Sequence, residues 1–179
     1  MKSKAITILL TGMLLFAGIQ VSQAQINIGG GLAYGTEIEN PGIGVNAEIF
    51  VKENIAIRPG LVYFFPKDLI NEAGSEDFKF KWFDVNINGN YYFETDGIVK
   101  PYGMAGLNFA FLTVPGFSFD FIGGQIGTES ETTTEVGLNL GGGANFELSG
   151  SVIPYAELRY VLSDADQLVI SAGVRFNIN

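Results

Sequence analysis

Charged side chains inside otherwise apolar segments are the residues of this sequence that could do chemistry. They are Glu48, Arg58, Asp84, Glu147, Glu157, Arg159 and Arg175. Carboxylates can act as general acids and bases, but the sequence contains no histidine and no cysteine. A Ser–His catalytic pair and a thiolate site are therefore excluded. Nothing in the spacing positions an acid pair on its own, so we predict that the protein is not an enzyme and has no catalytic residues and no cofactor.

Two short motifs are compatible with ligand binding but lack the required context. The segment Gly42–Ala47 matches G-x-G-x-x-A, yet it runs into a predicted strand, whereas a dinucleotide site needs this motif to open a helix. Ser163, Asp164 and Asp166 offer the oxygen ligands that calcium prefers. We predict that the first motif is part of a strand and the second is a solvated turn, and that the chain has no metal site.

Eight segments alternate apolar and polar residues, which is the pattern of β-strands with one buried and one polar face. In the last segment, Leu168, Ile170 and Ala172 share a face with Val174 and Phe176. No charged residue falls on the apolar face of any segment. The predicted segments are residues 26–34, 43–51, 55–63, 83–93, 101–111, 136–146, 154–162 and 167–178.

Periodicity alone does not say whether the apolar faces point into a soluble barrel or out into a membrane. Three features favour the membrane. The polar face is rich in Gly and Asn rather than Lys and Glu, aromatic residues gather at strand ends, and short turns alternate with the longer connections 35–42, 66–78 and 113–132. The connection 163–166 is short and fits this alternation less well. The aromatic residues at strand ends are Tyr34, Tyr63, Phe65, Phe83, Tyr91 and Phe93.

The first 24 residues have the pattern of a cleaved secretory signal peptide. Lys2 and Lys4 precede a short apolar run, and the small residues Ser22 and Ala24 follow it. Cleavage after Ala24 would leave a domain of residues 25–179. It would also change the formal charge from −9 to −11, because two lysines leave with the peptide. Such an acidic chain is not expected to bind nucleic acid, whose partners are basic.

The order of the segments, together with three short motifs, resembles the OmpA/OmpX-like outer-membrane β-barrels (porin family). The motifs are K-P-Y-G-M-A-G-L-N at Lys100–Asn108, P-Y-A-E-L-R-Y at Pro154–Tyr160 and G-V-R-F at Gly173–Phe176. The resemblance implies an eight-stranded antiparallel up-and-down transmembrane β-barrel in the outer membrane of a Gram-negative cell. It also implies contact with membrane lipid and with the barrel assembly machinery. Such barrels commonly finish on an aromatic residue, whereas this sequence finishes on Asn179.

An eight-stranded barrel has an interior just wide enough for side chains to fill. We therefore predict an interior charge network of Glu48, Arg58, Glu157, Arg159 and Arg175. Folding the hairpin at Glu53 places Glu48 opposite Arg58, and pairing of the last two segments makes Glu157 and Arg175 diagonal neighbours. Pro59 is unexpected in a closed barrel because it lacks a ladder donor; a β-bulge would accommodate it.

These features predict a small monomer with a packed polar interior and a role in envelope structure or surface interaction. A narrow porin-like diffusion channel and a soluble lipocalin-like ligand-binding barrel are the alternatives. The external loop partner is unknown. A surface for it could be formed by Phe117, Phe119 and Phe121, which alternate as in a strand within the connection 113–132.

Overall fold

The computed structural model describes residues 25–68, 79–114, 118–121, 124–127, 131–148, 150–164 and 166–178. The predicted signal peptide, residues 1–24, lies outside the described residues. Within these ranges no helix is long and apolar enough to cross a membrane. The ten described strands are β1 (Ile26–Gly35), β2 (Asn40–Lys52), β3 (Ile55–Asp68), β4 (Lys79–Tyr92), β5 (Val99–Val114), β6 (Ser118–Phe121), β7 (Gly124–Gly127), β8 (Glu131–Phe146), β9 (Val152–Leu162) and β10 (Gln167–Asn177).

Eight of the strands form a closed antiparallel barrel in the order β1-β10-β9-β8-β5-β4-β3-β2, as predicted. The last strand closes on the first, with Leu32 opposite Ala172 and Gly29 opposite Arg175. Closure pairs every strand on both sides, so the barrel has no free edge. The connections alternate between two ends. We call the end at which β2, β4 and β8 finish the turn end, and the end at which β1, β3, β5 and β9 finish the loop end.

The apolar face of each strand points outward and the polar face points into the lumen. Leu32, Val45 and Val136 are 67, 58 and 62% exposed, whereas Glu48 and Arg175 are fully buried. A soluble lipocalin-like barrel would have the opposite arrangement, with apolar side chains inside and charges outside. The outward face is therefore built for lipid, and the soluble alternative is wrong.

Aromatic side chains pack against one another on the outer surface near both ends of the barrel. At the turn end, the rings of Tyr91 and Phe93 lie 5.5 Å apart. At the loop end, Tyr63 packs on Phe65 with ring centroids 6.3 Å apart. Amphipathic and apolar rings at these two levels are typical of the interfacial girdles of membrane barrels.

The connection between β1 and β2 is shorter than the predicted 35–42. Gly35 pairs with Asn40, so only residues 36–39 form the turn. Glu39 adopts a positive φ of 51°, which closes the turn tightly. The Asn40 side chain also donates to the Phe65 carbonyl oxygen, 3.0 Å away, which ties the start of β2 to β3.

Pro59 is accommodated by a break in one ladder rather than by a bulge. The β3–β4 register runs through Pro59 opposite Ile87 without interruption. On the other side, the β2–β3 pairs stop at Asn46 with Gly60 and resume at Ile49 with Ile57 in the same register. The residue without an N–H thus faces β2, where its missing hydrogen bond interrupts a short stretch of the ladder.

The β5–β8 pair is longer than the membrane requires. Its ladder has 16 residue pairs, from Val99 with Phe146 to Val114 with Glu131. A membrane-spanning strand needs only about 9–11 residues. Past Phe111 on β5 and Val136 on β8 the outward residues are threonines, so this pair extends beyond the apolar belt at the loop end. The hairpin formed by β6 and β7 lies between β5 and β8 in sequence.

Candidate functional site

The lumen contains six buried ionisable side chains that belong to the charge network. The five predicted residues are all inside, with exposures of 0–7%, and Asp84 joins them at 0%. Three are acidic and three are basic, so the network is electrically balanced. Balance matters because an unpaired charge in a closed, low-dielectric interior is costly. The six residues are Glu48, Arg58, Asp84, Glu157, Arg159 and Arg175.

The ion pairs differ from the predicted ones, because the two carboxylates exchange partners. Arg58 pairs with Glu157, and Arg175 Nη1 lies 3.7 Å from Glu48 Oε1. The prediction considered only neighbouring strands. In the barrel order β3 and β9 stand on opposite walls, four strands apart in either direction. The lumen is narrow enough for an arginine side chain to cross it. A contact of this kind cannot be predicted from a hairpin, which contains only neighbouring strands.

Tyr102 joins the pair that crosses the lumen. Its hydroxyl donates to Glu157 Oε2 at 2.8 Å and accepts from Arg58 Nη1 at 3.1 Å. Arg58 Nη2 also approaches Met104 Sδ at 3.1 Å. The guanidinium of Arg58 lies 5.5 Å from the centre of the Tyr102 ring, within range of a cation–π contact. These contacts fix the conformation of the Arg58–Glu157 ion pair that joins the two walls.

Glu48 is the most completely hydrogen-bonded of the three carboxylates. It accepts from the side-chain amides of Asn27 at 3.2 Å, Asn90 at 3.2 Å and Asn145 at 3.4 Å. The Tyr92 hydroxyl donates to it at 2.5 Å. Four donors and a nearby guanidinium satisfy the hydrogen-bonding capacity of this buried carboxylate.

Arg175 connects the Glu48 cluster to the rest of the lumen. Its Nε donates to Asn46 Oδ1 at 3.1 Å, and its Nη1 donates to Asn145 Oδ1. Its guanidinium also lies 4.0 Å from the centre of the Tyr155 ring. Stacking together with hydrogen bonds suits the planar guanidinium, which lysine could not imitate.

A layer of asparagine amides fills the lumen beside β4, β5 and β8. Asn86 Oδ1 accepts from Asn108 Nδ2 at 3.0 Å and from Asn139 Nδ2 at 2.9 Å. Asn139 also donates to Asn88 Oδ1 at 2.8 Å. The sequence indicated an Asn-rich inner face but not this layer, because the contacts depend on how three strands are staggered.

Buried apolar and aromatic side chains form a cluster toward each end of the lumen. The loop-end cluster consists of Ala33, Val62, Phe64, Trp82, Ala110, Val161 and Val169. The turn-end cluster consists of Ala56, Tyr92, Tyr102 and Met104, with Phe50 packed against it. The Trp82 indole donates to Asp84 Oδ1 at 2.6 Å, which couples the loop-end cluster to the charges below it. The sequence analysis did not identify either cluster.

Small inner residues make room for the large ones. At Gly143 an added Cβ would lie closest to the Ala156 carbonyl oxygen and 2.7 Å from the Tyr102 hydroxyl, closer than real Cβ contacts allow. Glycine on β8, which pairs with both Tyr102 and Glu157, therefore permits the Tyr102 side chain to pass over β8 and reach Glu157 on β9. This explains why Gly is frequent on the polar face.

The predicted loop features are only partly described. Phe117 lies outside the described residues. Phe119 and Phe121 lie on β6, paired with Ile126 and Gly124 of β7, so this part of the connection forms a strand as predicted. Whether the three residues form a partner surface stays a prediction.

The residues considered for calcium form a hydrogen-bonded turn. Asp166 Oδ1 accepts from the Ser163 backbone N–H at 2.7 Å, and Asp166 Oδ2 accepts from the Tyr160 hydroxyl at 3.2 Å. In the described ranges no group of three or more acidic side chains is arranged to hold a metal ion. The segment Gly42–Ala47 lies inside β2, in agreement with the strand prediction.

The comparisons with known proteins agree with this architecture. A model of the outer membrane protein beta-barrel domain matches residues 8–176. The chain belongs to this family. A search of curated proteins finds no match. The fold is that of the OmpA/OmpX-type barrels of eight strands.

Solved structures of the same fold come from several organisms. The N-terminal β-barrel domain of Pseudomonas aeruginosa OprF is 16% identical, with 87% of this chain and 100% of that chain covered and a TM-score of 0.60. Neisserial surface protein A is 19% identical, with 87 and 96% covered and a TM-score of 0.56. The attachment invasion locus protein Ail of Yersinia pestis is 16% identical, with 87 and 97% covered and a TM-score of 0.56. At these identities the likeness concerns the fold alone.

Proposed function

We propose that this outer-membrane barrel serves an envelope-structural or surface-interaction role and does not conduct solutes. The observation that carries the proposal is the Arg58–Glu157 ion pair, which crosses the lumen between opposite walls. The loop-end and turn-end clusters lie on either side of it. An eight-stranded barrel has room for side chains but not for a channel once they are packed.

A narrow diffusion channel is the alternative, and solute uptake distinguishes the two. Liposomes containing the folded protein are placed in solutions of small sugars and amino acids, and swelling is followed by light scattering. We expect the same swelling rate as for liposomes that contain a non-conducting barrel whose interior is filled by side chains. Swelling that depends on solute size would support the channel and contradict the packed interior.

The surface half of the proposal concerns the loop end. Strands β5 and β8 extend beyond the apolar belt and lead into the β6–β7 hairpin. The connections that leave the loop end, residues 36–39, 69–78, 115–130 and 163–166, together hold 9 acidic residues and no basic residue. A surface with this charge repels other anionic surfaces and favours cationic partners or partners bridged by divalent ions.

Deleting residues 115–128 tests the surface role. Cells that express the full chain and cells that express the deletion are compared for binding to cationic and anionic coated surfaces. Heat-modifiability in detergent gels checks that both barrels are folded. Loss of binding to the cationic surface supports a role of this connection in surface interaction. Unchanged binding would contradict that role.

The proposal includes export and assembly. The chain would reach the outer membrane of a Gram-negative cell after cleavage at Ala24, be inserted by the barrel assembly machinery and remain a monomer in membrane lipid. N-terminal sequencing of the purified membrane protein tests the cleavage. Gln25 as the first residue is expected, and a retained Lys2–Ala24 segment would contradict it.

A further inference from the structure

A cavity of about 40 Å³ lies in the lumen, against the wall formed by β1, β2 and β3. Three glycines, Gly31, Gly44 and Gly60, belong to its lining and contribute no side chains. Its polar lining includes Asn46, Arg58, Asn86, Asn88, Glu157 and Arg159. The cavity therefore lies beside the Arg58–Glu157 ion pair, and the side chains of that pair do not fill it.

The charged groups that line this cavity have a net positive charge. Two guanidinium groups, Arg58 and Arg159, face it together with one carboxylate, Glu157. Asp84 is not among the lining residues. Its Oδ2 lies 3.9 Å from Arg159 Nη2, a distance that offsets part of this positive charge but is too long for a hydrogen bond, so the Arg159 donors stay available. The cavity thus favours a negatively charged occupant.

The lining also presents hydrogen-bond donors without partners. Arg159 and Asn86 are 4 and 2% exposed, and Arg159 Nε, Arg159 Nη2 and Asn86 Nδ2 have no hydrogen-bond partner. The orientation of the Asn86 amide is set by its Oδ1, which accepts from both Asn108 and Asn139. Every unpartnered side-chain atom that the lining residues contribute is a donor. An occupant that only accepts hydrogen bonds would satisfy all of them.

We propose that this cavity binds one monovalent anion of halide size, held by Arg159 and Asn86. A cavity needs only about 10–15 Å³ of such space to admit one water, so about 40 Å³ has room for a chloride or bromide ion. Bound only by the folded barrel, the ion stabilises it through mass action. The site goes beyond the proposed surface role and does not depend on it.

The test measures how the stability of the folded full-length barrel depends on chloride. Urea unfolding is followed in detergent micelles while chloride replaces methanesulfonate, a larger monovalent anion that carries an apolar methyl group, at constant ionic strength. Above the dissociation constant, each tenfold rise in chloride is expected to raise the folding equilibrium constant about tenfold. An unfolding midpoint that does not respond to chloride would show that the cavity holds water only and would overturn the proposal.

Two matched glycine substitutions locate the effect. Gly60 lines the cavity, and an added Cβ there would have its nearest contacts at 3.3 Å from the Val45 carbonyl oxygen and 3.4 Å from Asn46 Cβ. Gly60→Ala is therefore expected to fill part of the cavity and abolish the chloride dependence. Gly89→Ala, on the outward face with 3.8 Å to the nearest atom, is expected to retain it. Equal chloride dependence in both variants would overturn the assignment.

A second measurement requires no variant and applies even if Gly60→Ala fails to fold. Crystals of the unmodified protein grown in bromide are expected to show an anomalous peak within hydrogen-bonding distance of Arg159 and Asn86. Density at that position without an anomalous signal would mean water and would overturn the proposal.

Discussion

Arg58 on β3 and Glu157 on β9 form an ion pair that joins opposite walls of the barrel. The pair is buried on both sides, and Tyr102 bonds to both partners. Because the strands are not neighbours, the contact is not part of any ladder. The packed interior therefore connects the opposite walls of the barrel as well as filling the space between them.

The first prediction concerns this ion pair. Arg58→Ala should lower the free energy of unfolding by about 3–5 kcal/mol, because Glu157 is left buried without its partner. Replacing the pair together, as Arg58→Met with Glu157→Leu, should restore most of the loss since no unpaired charge remains. Urea unfolding of Arg58→Met, Glu157→Leu and the double variant measures the coupling. Additive losses would mean that the two side chains do not interact.

The second prediction distinguishes the observed pairing from the pairing expected of a hairpin. Glu48→Ala leaves Arg175 without its acid and should cost about 3–5 kcal/mol. Adding Arg175→Ala should recover part of that loss. Adding Arg58→Ala instead should deepen the loss, because it also leaves Glu157 unpaired. Rescue by Arg58→Ala rather than by Arg175→Ala in urea unfolding would contradict the observed network.

The third prediction tests the space that Gly143 provides. An alanine there would place its Cβ against the Ala156 carbonyl oxygen and 2.7 Å from the Tyr102 hydroxyl, and overpacking of this kind costs about 1–3 kcal/mol. Gly89→Ala, on the outward face with 3.8 Å to the nearest atom, serves as the matched control and should be nearly neutral. Equal unfolding free energies for the two variants would show that Tyr102 and the β9 backbone adjust without penalty.

The fourth prediction concerns the lipid-facing surface. Leu107→Arg places a charge on the outward face near the middle of β5 and should cost about 2–4 kcal/mol in a bilayer. Thr132→Arg, outward on β8 opposite Thr113 and beyond the apolar belt, should cost about 0–1 kcal/mol. Unfolding from lipid vesicles measures both. Similar costs at the two positions would contradict the proposed membrane boundary.

The strands, their parity and the closure of the barrel could be predicted from the sequence because period-2 alternation is a local property. Residues such as Glu48 and Leu32 were assigned to the correct faces on that basis. The partner of each charge could not be predicted, since Arg58 reaches across a lumen whose width is a property of the whole barrel. The ladder break at Pro59 likewise depends on which neighbouring strand its nitrogen faces.

The inner apolar clusters were missed for a different reason. Phe64 and Trp82 have the parity of inward residues, but each adjoins an outward aromatic residue, so the contrast between faces disappears at these positions. The short turn at residues 36–39 was also missed, because its closure depends on the positive φ of Glu39. Glutamate is not a residue that signals this conformation.

Single-protein conductance across a planar lipid bilayer tests the central claim, a lumen closed by the Arg58–Glu157 ion pair between two apolar clusters. The folded, unmodified protein should carry no current in molar salt. The double variant Arg58→Gly with Glu157→Gly lacks the ion pair between the walls and serves as the comparison with a less tightly packed interior. Silence of the unmodified barrel is the predicted result. Stable, ion-dependent current steps from the unmodified barrel would contradict the closed lumen.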